Sequence, residues 1–384
     1  MLSKSVRLEG FKKKISSKKI KTIYKKLLNS KSEVLNSLSS NYHYSFNKKN
    51  LSKYKKNKYF RVIGMGGSTL GSQAIYDFLK HRIKKNFLFI DNLKLSQKNV
   101  KKNFTNLVIS KSGNTIETIV NANILIKNKD KNIFITENKN SYLKLLANKL
   151  KAEIIDHNNF IGGRYSVLSE VGMLPAELMG LDSNKFKQIN SLIKNKQFEN
   201  SLLSNVAASL YYLKKKKFNS IIINYDEKSE NLFKWYQQLV AESLGKKNKG
   251  ILPIVSIMPR DNHSVMQLYL DGFKHNFFTF FYVKEKNSDR LFNNNILSAK
   301  NYLKNKDVNK IIYAQKKATE NVFKKKNIPF RSFELDNRDE KSLGELFCFF
   351  ILETILIGRA LKIDPYNQPA VELIKKETKK LLVS

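Results

Sequence analysis

Short runs of β-branched and aromatic residues recur along the chain with longer helix-like stretches between them. They read "YFRVIGMG", "NFLFIDN", "NLVISKS" and "NIFITEN", then "FNSIIINYDE", "GILPIVSI" and "FFTFFYVKE". Near-continuous apolar runs suit strands buried on both faces, and their alternation with helices predicts parallel sheets covered on either side. Two sets are visible. The first extends from about Lys55 to Leu178, and the second begins near Asn219, after the polar segment "DSNKFKQINSLIKNKQFENS". A lysine-rich helical stretch precedes the first set. After the second comes the long apolar segment "LGELFCFFILETILIGRAL" and then "DPYNQPAVELIKKETKKLLVS", where Pro369 suits the first turn of a last helix with Gln368 just outside it. The predicted class is α/β, organised as an N-terminal helical segment (1–54), a first sheet domain (55–185), a second (186–360) and a C-terminal helix (361–384).

Composition narrows this picture. A chain of 384 residues with 41% hydrophobic content is long enough for two or three domains with buried cores. The opening "MLSKSVRLEGFKKK" carries charge and no apolar run of signal-peptide length, so a cytoplasmic location is expected. Glu345, Glu353 and Arg359 interrupt the apolar segment, which therefore reads as a buried helix and not a membrane span. The single cysteine, Cys348, excludes an intrachain disulfide and a multi-cysteine metal site, and the isolated histidines supply no ligand cluster. A formal charge of +39 raises nucleic acid as a partner. The lysines, however, are spread along the whole chain beside asparagines, with no compact stripe and no interleaved aromatics, as an A·T-rich coding bias would produce. No nucleic-acid partner is expected.

Three turns carry candidate chemistry. In "FRVIGMGGSTLGSQAIYDFL" a strand passes through glycines into a helix, in the outline of a dinucleotide site, but the sixth position counted from Gly64 is Thr69 and not glycine. Gly67 and Ser68 at that helix start offer N–H groups and a hydroxyl to a polar ligand. In "NLVISKSGNTIETIV", Ser110, Lys111, Ser112 and Thr115 crowd a strand-to-helix turn and make a compact site for a phosphate monoester. Helix capping would account for one or two of these hydroxyls. In "IGGRYSVLSEVGMLPAEL", Arg164 is a permanently charged planar donor beside paired glycines, fit to face a developing anion; a surface arginine is the alternative.

A carboxylate and a histidine complete the candidates. Gln238 and Glu242 stand four apart on one face of the helix in "NLFKWYQQLVAESLGKKNKG", and Glu242 can serve as a general base. His263 in "PRDNHSVMQLYLDG" lies beside Asp261 just ahead of a helix, where a proton shuttle is plausible. On the residues alone, Lys375 reads as a solvated surface lysine.

Taken in order, "SKSGNTIET", "GGRYSVLSEVGMLPAEL", "QLVAESLGK" and "DNHSVMQLYLDG" resemble the glucose-6-phosphate isomerase (phosphoglucose isomerase) family, over about Phe60 to Leu382. The resemblance implies two sugar-isomerase (SIS) domains, each an αβα sandwich, in a dimer with active sites at the interface. It implies reversible conversion of D-glucose 6-phosphate to D-fructose 6-phosphate through a cis-enediolate, in glycolysis and gluconeogenesis, with neither metal nor redox cofactor. By the same resemblance Ser110, Lys111, Ser112 and Thr115 match the phosphate loop, with Ser112 where many members have threonine, and Gly67 and Ser68 lie near the sugar. Glu242 matches the base between C1 and C2, Arg164 the enediolate cation, and His263 the ring-opening histidine reaching in from the partner subunit. Gln238, Gln368 and Lys375 match the remaining ligand contacts, with Lys375 at the ring oxygen. Met258, Pro259 and Arg260 depart from the small residues of bacterial relatives. A dual phosphoglucose/phosphomannose isomerase and a non-catalytic sugar-phosphate sensor are the alternatives.

Overall fold

All seven apolar runs lie in strands. The computed structural model describes residues 2–3, 5–95, 102–127, 129–291 and 302–383. The chain opens with strand β1 (Val6–Glu9) and helices α1 (Lys18–Leu28) and α2 (Glu33–Ser37). The first layer then alternates β2 (Tyr59–Gly64), α3 (Leu70–Phe78), β3 (Asn86–Ile90), β4 (Thr105–Ile109), α4 (Ile116–Leu125), β5 (Lys131–Thr136), α5 (Tyr142–Lys149) and β6 (Glu153–Asp156), closing with α6 (Glu170–Met179). Its five strands are all parallel, in the order β3-β2-β4-β5-β6.

Helices α7 (Ile189–Leu192) and α8 (Lys196–Lys214) lead into the second layer. There β7 (Asn219–Asn224), α9 (Glu230–Leu244), β8 (Leu252–Ile257), α10 (Met266–Asp271), β9 (Asn276–Val283), α11 (Val308–Lys325) and β10 (Phe330–Leu335) alternate. The strand order is β1-β10-β9-β7-β8, parallel except that β1 runs antiparallel to β10. Helices α12 (Glu340–Ala360) and α13 (Pro369–Val383) end the described chain.

The N-terminal stretch holds helices α1 and α2 and the helical turn Lys48–Tyr54, and it also donates β1 to the second sheet. The reason is a period of two over four residues: Val6 and Leu8 are buried while Arg7 and Glu9 face out. Two further strands lack an apolar run. The central pair of isoleucines in β6 lies between Glu153 and Asp156 at a sheet edge. Strand β10, "FRSFEL", is buried along its whole length although it carries Arg331 and Glu334, because each finds a partner: Arg331 pairs with Glu353 of α12, and Glu334 takes Lys316 and Lys317 of α11 at 2.5 and 2.7 Å.

Helix α12 is the axis of the interior. Of its 21 residues 18 are buried, so it is apolar all round as a core helix must be. The carboxylates that interrupt it are paired: Glu340 with Arg82, Glu345 with the Ser3 hydroxyl at 2.5 Å, and Glu353 with Arg331. No helix among the described residues is long and apolar enough to cross a membrane. Cys348 is fully buried on the same helix, and burial pushes its thiol up to about 12.

The Arg331–Glu353 pair gives a stability test. Both side chains are almost completely enclosed, with a second contact from Arg331 Nη2 to Glu353 Oε2 at 3.0 Å. Glu353→Ala leaves a guanidinium buried without its counter-ion, which costs about 3–5 kcal/mol. Urea unfolding measures this; a loss below about 1 kcal/mol would show that water reaches Arg331.

Candidate active site

In an open parallel sheet, ligands bind beyond the carboxyl ends of the strands, where the strand order reverses. In the first sheet that point lies between β2 and β4, since β2 continues to β3 on one side and β4 returns on the other. The glycine turn leaves β2 there, and the serine-rich turn leaves β4.

After β2 the chain makes a tight helical turn, Gly66–Ser68, before α3. Gly66 has φ of +53°, and a side chain on it would meet Gln238 Nε2 at 2.7 Å. Gly67 lies against the segment that carries Arg164, and an added Cβ would come 2.6 Å from Arg164 N. The turn is therefore wedged between α9 and residues 163–164, with Ser68 half-buried at its end.

The second turn does not use its hydroxyls as the capping alternative requires. Thr115, at the head of α4, makes no side-chain cap; its Oγ1 lies 3.0 Å from Ser110 Oγ. Ser112 Oγ accepts from Asn114 N at 3.2 Å. Thr118 Oγ1, in the first turn of α4, is buried without a hydrogen-bond partner among the described residues. The first-turn N–H groups of α4 and these hydroxyls are donors of the kind that an anion requires. Lys111 borders them, donating to Asn159 O at 2.7 Å and lying 3.6 Å from Glu137. Burial lowers the proton affinity of Lys111, and Glu137 opposes that.

Arg164 is not a surface arginine: its side chain is 1% exposed, and all five guanidinium hydrogens have acceptors. Nε donates to Ser243 Oγ at 2.8 Å, and Nη1 donates to Glu242 Oε2 at 3.1 Å and Gln368 Oε1 at 2.7 Å. Nη2 donates to the carbonyls of Pro365 and Asn367 at 2.7 and 3.1 Å. Glu242 also accepts from Gln238 Nε2 at 2.9 Å. The carboxylate is therefore held between an amide and a guanidinium at the rim of a cavity of about 790 Å³ that Gln368 also lines. Among the described residues Gln238 Oε1 is buried with no hydrogen-bond partner, an acceptor ready for a ligand hydroxyl.

Arg164, Glu242, Gln238 and Gln368 thus converge, with Gly67 packed against the backbone of Gly163 and Arg164. His263 and Lys375 do not join them within one chain. His263 is exposed in the helical turn Arg260–His263 after β8, and Asp261 serves the backbone instead, its Oδ2 accepting from Ile257 N at 2.8 Å. Glu242 lies near the end of α9, beside the start of β8, and six strand residues span roughly 20 Å, so His263 stands at the opposite end of the second sheet. Lys375 is exposed on α13, which has no buried residue, and its ammonium binds Glu372 at 2.6 Å.

Sequence reading missed Ser243 and the carbonyls of Pro365 and Asn367. Ser243 adjoins Glu242 and could have been noticed; backbone carbonyls leave no mark in residue type.

Two αβα layers, with a cluster of hydroxyls at one switch point and a carboxylate–guanidinium pair in the same crevice, have the fold of the SIS-type phosphosugar isomerases. A family model for phosphoglucose isomerase matches residues 50–384. A glucose-6-phosphate isomerase of Methanocaldococcus jannaschii is 35% identical over 349 residues, covering 85% of this chain and 86% of that one. That of Mycoplasmopsis pulmonis is 34% identical over 350 residues, covering 84% and 82%. The chain belongs to the phosphoglucose isomerase family. Among solved structures, a hypothetical protein of Thermus thermophilus shares the fold with a TM-score of 0.84 at 21% identity, covering 95% of both chains. A glucose-6-phosphate isomerase of Chlamydia trachomatis does so with a TM-score of 0.71 at 18% identity, covering 87% of this chain and 72% of that one.

Proposed function

We propose that the protein interconverts D-glucose 6-phosphate and D-fructose 6-phosphate through a cis-enediolate, as a cytoplasmic homodimer. The observation that carries this is the Glu242 carboxylate held between Gln238 Nε2 and Arg164 Nη1 beside the switch-point crevice. A lone buried cysteine fits a reducing compartment.

In this reading the phosphate rests on Ser110, Lys111, Ser112 and Thr115, which fixes the sugar at a distance from the reacting carbons. Gly67, Ser68 and the free Gln238 Oε1 meet its hydroxyls. Glu242 takes the proton from C2 and returns it to C1. All five donors of Arg164 are engaged at rest, so an enediolate oxygen must take over an Nη1 hydrogen from Glu242 or Gln368. Protonation weakens the hold of Glu242 on Arg164 as negative charge appears on the substrate, and the guanidinium then faces the new anion. Gln368 lies on the strap formed by residues 363–368 and Lys375 on α13, whose first residues line the same cavity, with Lys375 assigned to the ring oxygen.

His263 opens the ring from the partner subunit. Its place at the far end of the second sheet supports action in trans. The measurement is a coupled assay of wild type on glucose 6-phosphate, with mannose 6-phosphate compared in the same preparation. Inactive Glu242→Gln and His263→Ala chains, mixed under conditions of subunit exchange, are expected to recover about a quarter of wild-type activity, since half the dimers are then mixed and each holds one intact site. Wild type without isomerase activity would reject the function, and exchange without recovery would reject action in trans.

A further inference from the structure

Lys246 follows Glu242 by four residues, just past the end of α9. It opens a tight turn whose ends bond each other, Lys246 N to Lys249 O at 3.0 Å and Lys249 N to Lys246 O at 2.9 Å. Its Nζ donates to Ser243 O at 2.9 Å and to Asp364 O at 2.7 Å. Ser243 belongs to the helix that carries the carboxylate. Asp364 belongs to the strap 363–368, whose Pro365 and Asn367 carbonyls hold Arg164. One ammonium therefore joins the element bearing Glu242 to the element cradling Arg164. Ser243 contributes at the same point, since its Oγ accepts from Arg164 Nε while its carbonyl accepts from Lys246.

We propose that Lys246 is a positioning residue for the isomerisation, clasping the end of α9 to the 363–368 strap and so setting the separation of Glu242 from Arg164. The proposal rests on the reading of Glu242 as the base. The charged groups facing Lys246 are Arg164 from the first layer, Glu242 on α9 and Asp364 on the strap, with Lys247 and Lys249 on its own turn. Burial, then Arg164, draws its proton affinity down to about 8, against the pull of Asp364 and Glu242. The clasp is therefore cationic at neutral pH and an amine in mild alkali. As an amine it loses the charge that favours the carbonyl end of α9, and its hold on both carbonyls weakens.

The test measures kcat and KM for glucose 6-phosphate from neutral to alkaline pH in the full-length protein, comparing wild type with Lys246→Met, Lys246→Arg and Glu242→Gln. Lys246→Met is expected to lower kcat roughly tenfold or more with KM within about twofold, because the reacting groups shift while the phosphate turn is untouched. Lys246→Arg can still donate to both carbonyls and does not deprotonate in this range, so it keeps most of the activity at neutral pH and loses the fall in kcat near pH 8. A merely structural lysine would not change the shape of that profile. Wild-type kcat in Lys246→Met, or an unaltered alkaline fall in Lys246→Arg, overturns the proposal. Should Lys246→Met fail to fold, the Lys246→Arg profile decides alone. The two readings fail differently: an active Glu242→Gln removes the base itself, whereas an inactive Glu242→Gln beside a normal Lys246→Met counts against the clasp only.

Discussion

Replacing Glu242 by glutamine is expected to lower kcat for glucose 6-phosphate by roughly 10²- to 10⁴-fold, the span attributed to a positioned general base. The substitution suits this site because the amide can keep the geometry. Its oxygen can still accept from Arg164 Nη1, and its NH₂ can donate to Gln238 once that amide turns over, bringing Oε1 to the place where Nε2 now faces Glu242. What it cannot do is take a proton from C2. Substrate binding should persist, since the hydroxyls of Ser110, Ser112 and Thr115 and the first turn of α4 lie on the other layer's contribution to the cleft. The expected signature is a large loss in kcat with little change in KM, read in the coupled assay. A variant with kcat within about threefold of wild type would remove Glu242 from the mechanism.

The parts of the fold legible from residue type are those where one property dominates a stretch. Seven strands declare themselves by an apolar run; five of them (β2, β4, β5, β7 and β9) are buried along nearly their whole length, while the edge strands β3 and β8 leave Leu88 and Leu252 exposed. Strand β10 does not, since its buried positions include Arg331 and Glu334, whose partners come from α11 and α12 and are invisible to a local reading. Strand β1 fails for another reason: four residues of alternation are too short to outweigh the lysine-rich helical sequence behind them. The site divides the same way. Gln238 and Glu242 are legible as a helical i, i+4 pair, and the turn at Ser110 to Thr115 is legible as a density of hydroxyls. The five-way saturation of Arg164 is not, because two of its acceptors are main-chain carbonyls brought from 201 and 203 residues away. His263 and Lys375 are candidates by family resemblance alone, and within one chain both side chains are exposed and bonded to none of the other site residues.

Gly67→Ala is expected to be among the most damaging single-methyl changes in the protein, lowering kcat roughly 10²-fold, because a misplacement of about 1 Å near reacting groups costs that much. The methyl would stand 2.6 Å from Arg164 N and closer still to the carbonyl of Gly163, inside any normal contact. The obstructing atoms are backbone, so no side-chain rotation relieves the clash. Either the glycine turn retreats toward β2 or residues 163–164 move outward. Outward movement drags Arg164 against Ser243, Glu242, Gln368 and the strap, to which all five of its donors are tied. A lowered melting temperature should accompany the lost activity. The reciprocal change, Gly163→Ala, places its methyl 3.7 Å from Gly67 Cα, an ordinary contact, and should leave the melting temperature unchanged. The tightness is thus directional, and comparing the two alanine variants by thermal melting and coupled assay tests it. Equal behaviour of the pair would mean that the glycine turn is free to yield, and that the position of Arg164 does not depend on it.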